Sequence, residues 1–255
     1  MNADHGESSG VTGCRPAVPS DLLEALAGLR RPVVVGHVLP DADCLGSMLA
    51  VAGAWPGDHG RCAAVCLPAG TVSRRLEFMV DWAGVRVVDA SGLAAADGLV
   101  VVDTATPERG NVAEAVSPDW FTGRPVVNID HHQTNTRFGT VNWVVDEASS
   151  AAELVYDVIR AAGRPLTATA ASLLFAGLHA DTRGFTIDGV RARSLAVAAE
   201  LVEAGARVGE IGERLYRSRS RCEFELLKLI YANTRSVAEG RIALSTADHG
   251  EIAAC

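Results

Sequence analysis

Three short aliphatic runs, each ending on acids or imidazoles, constrain this chain more than any other feature. Val33-Val-Val-Gly-His37 leads through Val38-Leu-Pro into Asp41-Ala-Asp43, Leu99-Val-Val-Val102 stops at Asp103, and Val126-Val-Asn-Ile129 stops at Asp130-His131-His132. A continuous β-branched run of this length is the pattern of a strand buried on both faces, as strands are in a parallel sheet. Further apolar runs at Arg61 to Leu67 and Val85 to Val88 are separated by helical or turn-rich stretches. These include Leu22 to Leu29, with Ser20 as the expected N-cap, Leu45 to Trp55, and Gly110 to Val116. The alternation predicts an α/β fold with a mostly parallel sheet and flanking helices. The carboxyl ends of the strands in such a sheet form its ligand-binding edge, so the acids and imidazoles are expected on one rim.

From Ser149 onward the pattern turns helical. Helices are expected over Ala151 to Ala162 with Ser149 or Ser150 as cap, Thr167 to His179, Val190 to Ala204, and Val208 to about Val237. One strand precedes them at Val141 to Val145, and one follows at Gly240 to Thr246 with nothing obvious to pair with. The expected organisation is a disordered tail at 1–19, an α/β domain at 20–200, a helical linker at 201–239 and the start of a truncated C-terminal domain at 240–255. The first 19 residues lack the basic start and apolar core of a signal peptide. No apolar stretch approaches a membrane span. Six cysteines, at 14, 44, 62, 66, 222 and 255, form no CxxC pair and suit a reducing, cytoplasmic setting. Cys62 and Cys66 fall on one face of their strand, as small apolar residues do.

A further acid, Asp181, follows the apolar helix Ala170 to Leu178. Each acid alone has an ordinary reading, with Asp41 and Asp43 as turn or N-cap residues, Asp103 as a cap and Asp181 as a helix-end residue. Their coincidence at strand and helix ends does not. Like charges on one rim are costly unless something neutralises them. Two divalent cations would balance Asp41, Asp43, Asp103 and Asp181. The mixture of carboxylate and imidazole favours Mn2+ over Mg2+, with Co2+ a further candidate, and zinc is disfavoured without a cysteinate. A two-metal cluster of this kind activates water for in-line displacement at phosphorus. With 23 Lys and Arg against 31 Asp and Glu, a net of −8, the chain lacks the basic surface of a long-duplex binder.

The series His37-x3-Asp41-x-Asp43, Gly46-Ser47, Asp103, Asp130-His131-His132 and Asp181-Thr182 resembles the DHH phosphoesterase superfamily over about residues 30–185. His37-Val-Leu-Pro-Asp41, Asp130-His-His-Gln-Thr-Asn135 and Ala148-Ser-Ser-Ala-Ala-Glu-Leu154 are most similar to its bacterial oligoribonuclease and pAp-phosphatase branch. The resemblance implies one metal on His37, Asp41 and Asp103 and another on Asp43, His131 and Asp181, with Asp103 shared. It implies that His132 and Asp103 are catalytic, that His132, Asn135 and Arg183 contact substrate, and that Asp130 supports the imidazoles. Two departures stand out. Ala42 replaces the family's central glycine, and Arg183 stands where a glycine is usual. The implied function is Mn-dependent hydrolysis of short oligoribonucleotides or pAp. The alternatives are a manganese inorganic pyrophosphatase, a single-strand exonuclease of the same superfamily, or a non-catalytic nucleotide-binding module. No membrane partner is expected, and a homodimer is left open.

Overall fold

The computed structural model describes residues 17–55, 63–110 and 123–253. The expectations for residues 1–16, for Cys14, Cys62 and Cys255, and for most of the Gly110 to Val116 segment lie outside the described residues. The chain divides into a larger unit ending at Val208 and a smaller one beginning at Gly209.

The larger unit is built on six parallel strands: β1 (Pro32–Val35), β2 (Ala64–Cys66), β3 (Arg86–Val88), β4 (Gly98–Val102), β5 (Val126–Asp130) and β6 (Val141–Val144). Their order is β3-β2-β1-β4-β5-β6. This is the doubly wound arrangement, in which the chain reverses its direction of growth between β1 and β4. Register places Val35 beside Val101, and Val102 beside Ile129, so the three aliphatic runs end side by side. Alternate residues serve opposite faces of the sheet. Val33, Val35, Leu99 and Val101 join Ala64, Cys66 and Val126 on one face, in a cluster with Leu93 and Ala96.

Helix α1 (Ser20–Gly28) precedes β1, and its N-cap is Pro19, not Ser20, which lies inside the first turn. Helix α2 (Ala42–Ala54) begins three residues before the apolar run that predicts it. The Asp41 carboxylate accepts the amides of Asp43 and Cys44 and so starts the helix early. Helices α3 (Glu77–Ala83), α4 (Ala151–Ala161), α5 (Ala168–Asp181) and α6 (Ala192–Glu203) complete the unit, with Ser150 capping α4 and Thr167 capping α5. Nearly all of α2 is buried, because it packs against β1, β2 and β4 as well as α3, α4 and α5. Small residues permit this. A Cβ at Gly46 would stand 2.4 Å from the Leu173 carbonyl oxygen of α5, closer than any real contact.

In the smaller unit the helix expected from Val208 to about Val237 is broken. Helix α7 (Val208–Gly212), a wide helical turn at Glu213–Arg217 and helix α8 (Arg221–Ala232) replace it. Ser218 leaves the helical region, and Ser220 with Glu223 forms a capping box that starts α8 anew. The strand expected to lack a partner has one. β8 (Ile242–Leu244) pairs antiparallel with β7 (Arg235–Val237), which lies inside the stretch expected to be helical, and α9 (His249–Ala253) follows. Ala238, Glu239 and Gly240 take left-handed backbone angles at the turn, which closes the hairpin. Among the described residues no helix is long and apolar enough to cross a membrane.

Gly46→Ala is expected to lower stability by about 1–3 kcal/mol, because the added methyl must force α2 from α5. Gly53→Ala in the same helix, where a Cβ would meet nothing within 4 Å, is expected to raise it by up to about 1 kcal/mol. Urea unfolding of both variants checks this, and a larger loss at Gly53 than at Gly46 would contradict the packing described.

Candidate metal centre

The edge at the carboxyl ends of β1, β4 and β5 carries the chemistry. Past β1 the chain runs through Gly36 to His37, and a Cβ at Gly36 would stand 2.2 Å from the Cys44 sulfur of α2. That glycine allows the exit from β1 to run against the first turn of α2. Asp103 follows β4 with φ of 50° and is 3% exposed. A left-handed angle at a non-glycine residue costs about 1–2 kcal/mol, and here it accompanies a side chain held within the site. Asp130 is the last residue of β5, Asp181 the last of α5, and Asp43 sits buried in the first turn of α2.

Two imidazoles converge on Asp103 from opposite oxygens. His37 Nε2 lies 3.5 Å from Asp103 Oδ2 and 4.0 Å from Asp41 Oδ1. His131 Nε2 lies 3.4 Å from Asp103 Oδ1 and 3.4 Å from Asp181 Oδ2. Each ring is fixed by its other nitrogen, His37 Nδ1 donating to the Val38 carbonyl at 2.9 Å and His131 Nδ1 to the Ala148 carbonyl at 3.3 Å. A carbonyl only accepts, so Nδ1 keeps its proton and Nε2 is the atom that can ligate a cation. Asp103 Oδ1 is buried and has no hydrogen-bond partner. Donors about 2.1 Å from a shared ion stand about 3.0–3.4 Å apart, close to the spacings observed. The donor set therefore fits divalent cations. Three sets of possible ligand atoms each lie within 4.8 Å of one another: Asp43, His131 and Asp181; His37, Cys44 and Asp103; and Asp103, Asp130, His131 and His132.

His132 is placed differently. Its Nδ1 lies 2.7 Å from Asp130 Oδ1, and its side chain is 34% exposed. Asp130 also accepts the His131 amide at 2.9 Å, and its other oxygen accepts the Asn135 side-chain amide at 2.6 Å. Asn135 further donates to the Thr104 carbonyl and the Asn128 side chain, and its own oxygen accepts the Arg137 amide. Both of its side-chain polar atoms are thereby engaged by the protein itself. Asp41 lies at the rim, with 60% of its side chain exposed. Arg183 is exposed with φ of 49°, a left-handed angle at the position where the family pattern has glycine, and its guanidinium makes no hydrogen bond or ion pair among the described residues.

The sequence reading missed two kinds of participant. Cys44, noted in the sequence only as one of six cysteines outside any CxxC pair, is fully buried beside His37 and Asp103. Burial, then the charge on Asp103, pushes its thiol well above the ordinary range. Spacing gave a signal, because Cys44 directly follows Asp43 in a helix start. The backbone partners carry no side-chain signal at all: the amides of Ala151 and Ala152 donate to Asp43 at 2.7 and 2.9 Å.

The charges are strongly coupled. Burial, then the charges of Asp103 and Asp181, pushes Asp43 well above the usual carboxylate range. Burial also raises Asp181, to about 6, despite His131. Burial opposes charge on His131, yet the Asp103 contact and the charges of Asp43, Asp103 and Asp181 outweigh it and lift the imidazole to about 10. Asp103 moves oppositely: burial raises it, but His131 and His37 hold it below the usual range.

In the metal-free chain both His131 and Asp181 have folded values above their ordinary 6.5 and 3.8. Their stabilising contributions are complete below those ordinary values and are lost as pH rises, for Asp181 through about 6 and for His131 through about 10. The melting temperature in chelator is therefore expected to fall between pH 6 and pH 9. The stabilisation given by Mn2+ is expected to grow over the same range, since the cation displaces protons. Melting curves with chelator and with Mn2+ check both slopes, and a chelated chain that gains stability with pH would contradict them.

The DHH family, N-terminal domain, matches residues 31–178. A bifunctional oligoribonuclease and PAP phosphatase NrnA from Thermus thermophilus is 30% identical over 202 residues, 75% of this chain and 56% of that protein. The Bacillus subtilis protein of the same name is 30% identical over 124 residues, 48% of this chain and 38% of its own. The chain thus spans about half the length of the curated relatives it matches. A Streptococcus agalactiae protein named "Probable manganese-dependent inorganic pyrophosphatase" is 29% identical over 194 residues, 73% of this chain and 60% of that one. The crystal structure of an exopolyphosphatase-related protein from Bacteroides fragilis superposes with a TM-score of 0.81 at 20% identity, over 94% of this chain and 73% of that one, which shows a common fold. With its motifs brought to one sheet edge and more than half its length matched, this chain belongs to the DHH family, in the NrnA-like branch.

Proposed function

We propose that this chain is a metal-dependent phosphoesterase acting on short oligoribonucleotides and on pAp. The observation that carries the reading is the position of Asp103, whose two oxygens face His37 on one side and His131 on the other. His37, Asp41 and Asp103 would hold one divalent cation, and Asp43, His131 and Asp181 a second, with Asp103 shared. Bound Mn2+ would neutralise the phosphate and activate water for attack at phosphorus. The chain's own part is position and proton control. His132 Nδ1 donates to Asp130, and that carboxylate favours the doubly protonated ring, whose Nε2 proton can then pass to a phosphate or leaving oxygen. Asn135 holds Asp130 in place by its 2.6 Å bond, and this is the role proposed for it in place of direct substrate contact. Arg183, exposed two residues beyond Asp181, would meet a second phosphate.

The likeness to the NrnA proteins supports the substrate class, and the surplus of acids over bases supports short substrates over a long strand. A cytoplasmic setting fits the free thiols of Cys44 and Cys222. Pyrophosphate hydrolysis is the second reading, favoured by the 29% identity to the Streptococcus agalactiae protein. Turnover of pAp, an RNA dinucleotide and pyrophosphate side by side, each with Mn2+, separates the two.

His132→Ala is expected to retain Mn2+ and lose about 10²–10³ in turnover, the usual worth of a donor aimed at developing charge. His131→Ala is expected to lose Mn2+ as well as turnover, and Asp103→Asn to weaken every bound ion. Metal content by elemental analysis beside the hydrolysis rate checks the division. Equal metal loss in the two histidine variants would show that the roles are misassigned.

A further inference from the structure

We infer that Glu153 and Arg193 are positioning residues for one half of the metal centre, the half formed by Asp43, His131 and Asp181. The inference rests on the metal-centre reading above. The segment Ala148-Ser149-Ser150 and the first turn of α4 touch that half directly. The Ala148 carbonyl accepts from His131 Nδ1, and the amides of Ala151 and Ala152 donate to the two oxygens of Asp43. The Asp43 carboxyl group is thus seated at a helix N-terminus, and its orientation follows that helix end.

The helix end is in turn locked by one buried carboxylate. Glu153 Oε2 accepts the Ser149 amide at 3.0 Å and the Ser194 hydroxyl at 3.2 Å, while the Glu153 amide donates to the Ser150 cap. Arg193, from the first turn of α6, forks between Glu153 Oε1 at 2.8 Å and the Asp157 carboxylate. With the Ser194 proton on Glu153, Ser149 Oγ donates to Ser194 Oγ at 2.7 Å and lies 3.2 Å from the Gly189 carbonyl. The Arg193, Glu153 and Asp157 side chains are 10%, 2% and 7% exposed. A buried ion pair of this kind adds little net stability, but it fixes geometry, because either charge alone would be buried without its partner.

The other half is held by separate means. His37 is oriented by the Val38 carbonyl, Asp103 by the end of β4, and Asp41 by the amides of α2. None of these contacts includes Glu153 or Arg193. Disturbing the clamp is therefore expected to weaken one cation site selectively, by about tenfold or more, the usual effect of losing support behind a ligand.

The test is a Mn2+ titration of the whole chain, free ion being followed by electron paramagnetic resonance, with chelated melting curves to establish folding. Arg193→Lys keeps a charge but cannot fork to both carboxylates, and Glu153→Ala removes the clamp. Both are expected to weaken the binding event that Asp43→Asn abolishes and to spare the one that His37→Ala abolishes. Glu153→Gln, whose oxygen still accepts from Ser149 but whose amide faces Arg193 as a donor, is expected to fall between the wild type and Glu153→Ala. Should either severe variant fail to fold, Ser194→Ala carries the test and is expected to shift the same event by a smaller factor. Two ions bound with unchanged affinities in the folded variants, or two affinities falling equally, would overturn the inference. Fewer than two ions in the wild-type chain would overturn the metal-centre reading and the inference with it.

Discussion

Asp43, Asp103 and Asp181 meet at the carboxyl edge of one sheet, and Asp43 and Asp103 are almost entirely buried there. Their mutual repulsion, in surroundings that screen it poorly, is the constraint to which much of the larger unit answers. Each carboxylate is met by a different device. Asp43 takes two amides from the start of α4, Asp103 stands between two imidazoles, and Asp181 faces the His131 ring, while behind them Asp130 is bonded by the His132 ring, the His131 amide and Asn135. Asp103 Oδ1, facing the His131 ring, is left without a hydrogen bond among the described residues, and a shared cation would satisfy it.

Packing and site geometry are set by the same glycines. Gly46 brings α5 within touching distance of α2, and Gly177 on α5 leaves room for Asp43, whose Oδ1 would be 2.7 Å from a Cβ placed there. The small residues of α2 and α5 thus set how deep Asp43 lies. Asp43 and Gly46 share α2, whereas Gly177, which leaves room for the carboxylate, is on α5.

The strands were legible because β-branched runs flanked by polar residues have few alternatives, and the acids were legible because they stood at the ends of those runs. The resemblance to a family supplied the grouping of ligands, which spacing alone leaves open. Where the reading failed, the cause was local competition. Pro19 displaced Ser20 as a cap, Asp41 started α2 early, and the capping box at Ser220 split what periodicity joins into one helix. The pairing of β7 with β8 escaped notice because Arg235-Ser-Val237 is too short and polar to read as a strand. Backbone partners such as the Ala151 and Ala152 amides leave no mark in a sequence, whatever their importance.

Asp43 bonds the amide of Ala152, which is 109 residues further along the chain. His37 and Asp181, at the two ends of the donor set, are separated by a comparable stretch. During synthesis, a ribosome would therefore release the strands and imidazoles well before the last carboxylate that completes the cluster. At some tens of residues per few seconds the emerging polypeptide spends that interval with acids already exposed and their helix-end partner still unmade. The groups that could hold a cation are in this way complete only once α5 has emerged, with α6 and the smaller unit still to follow.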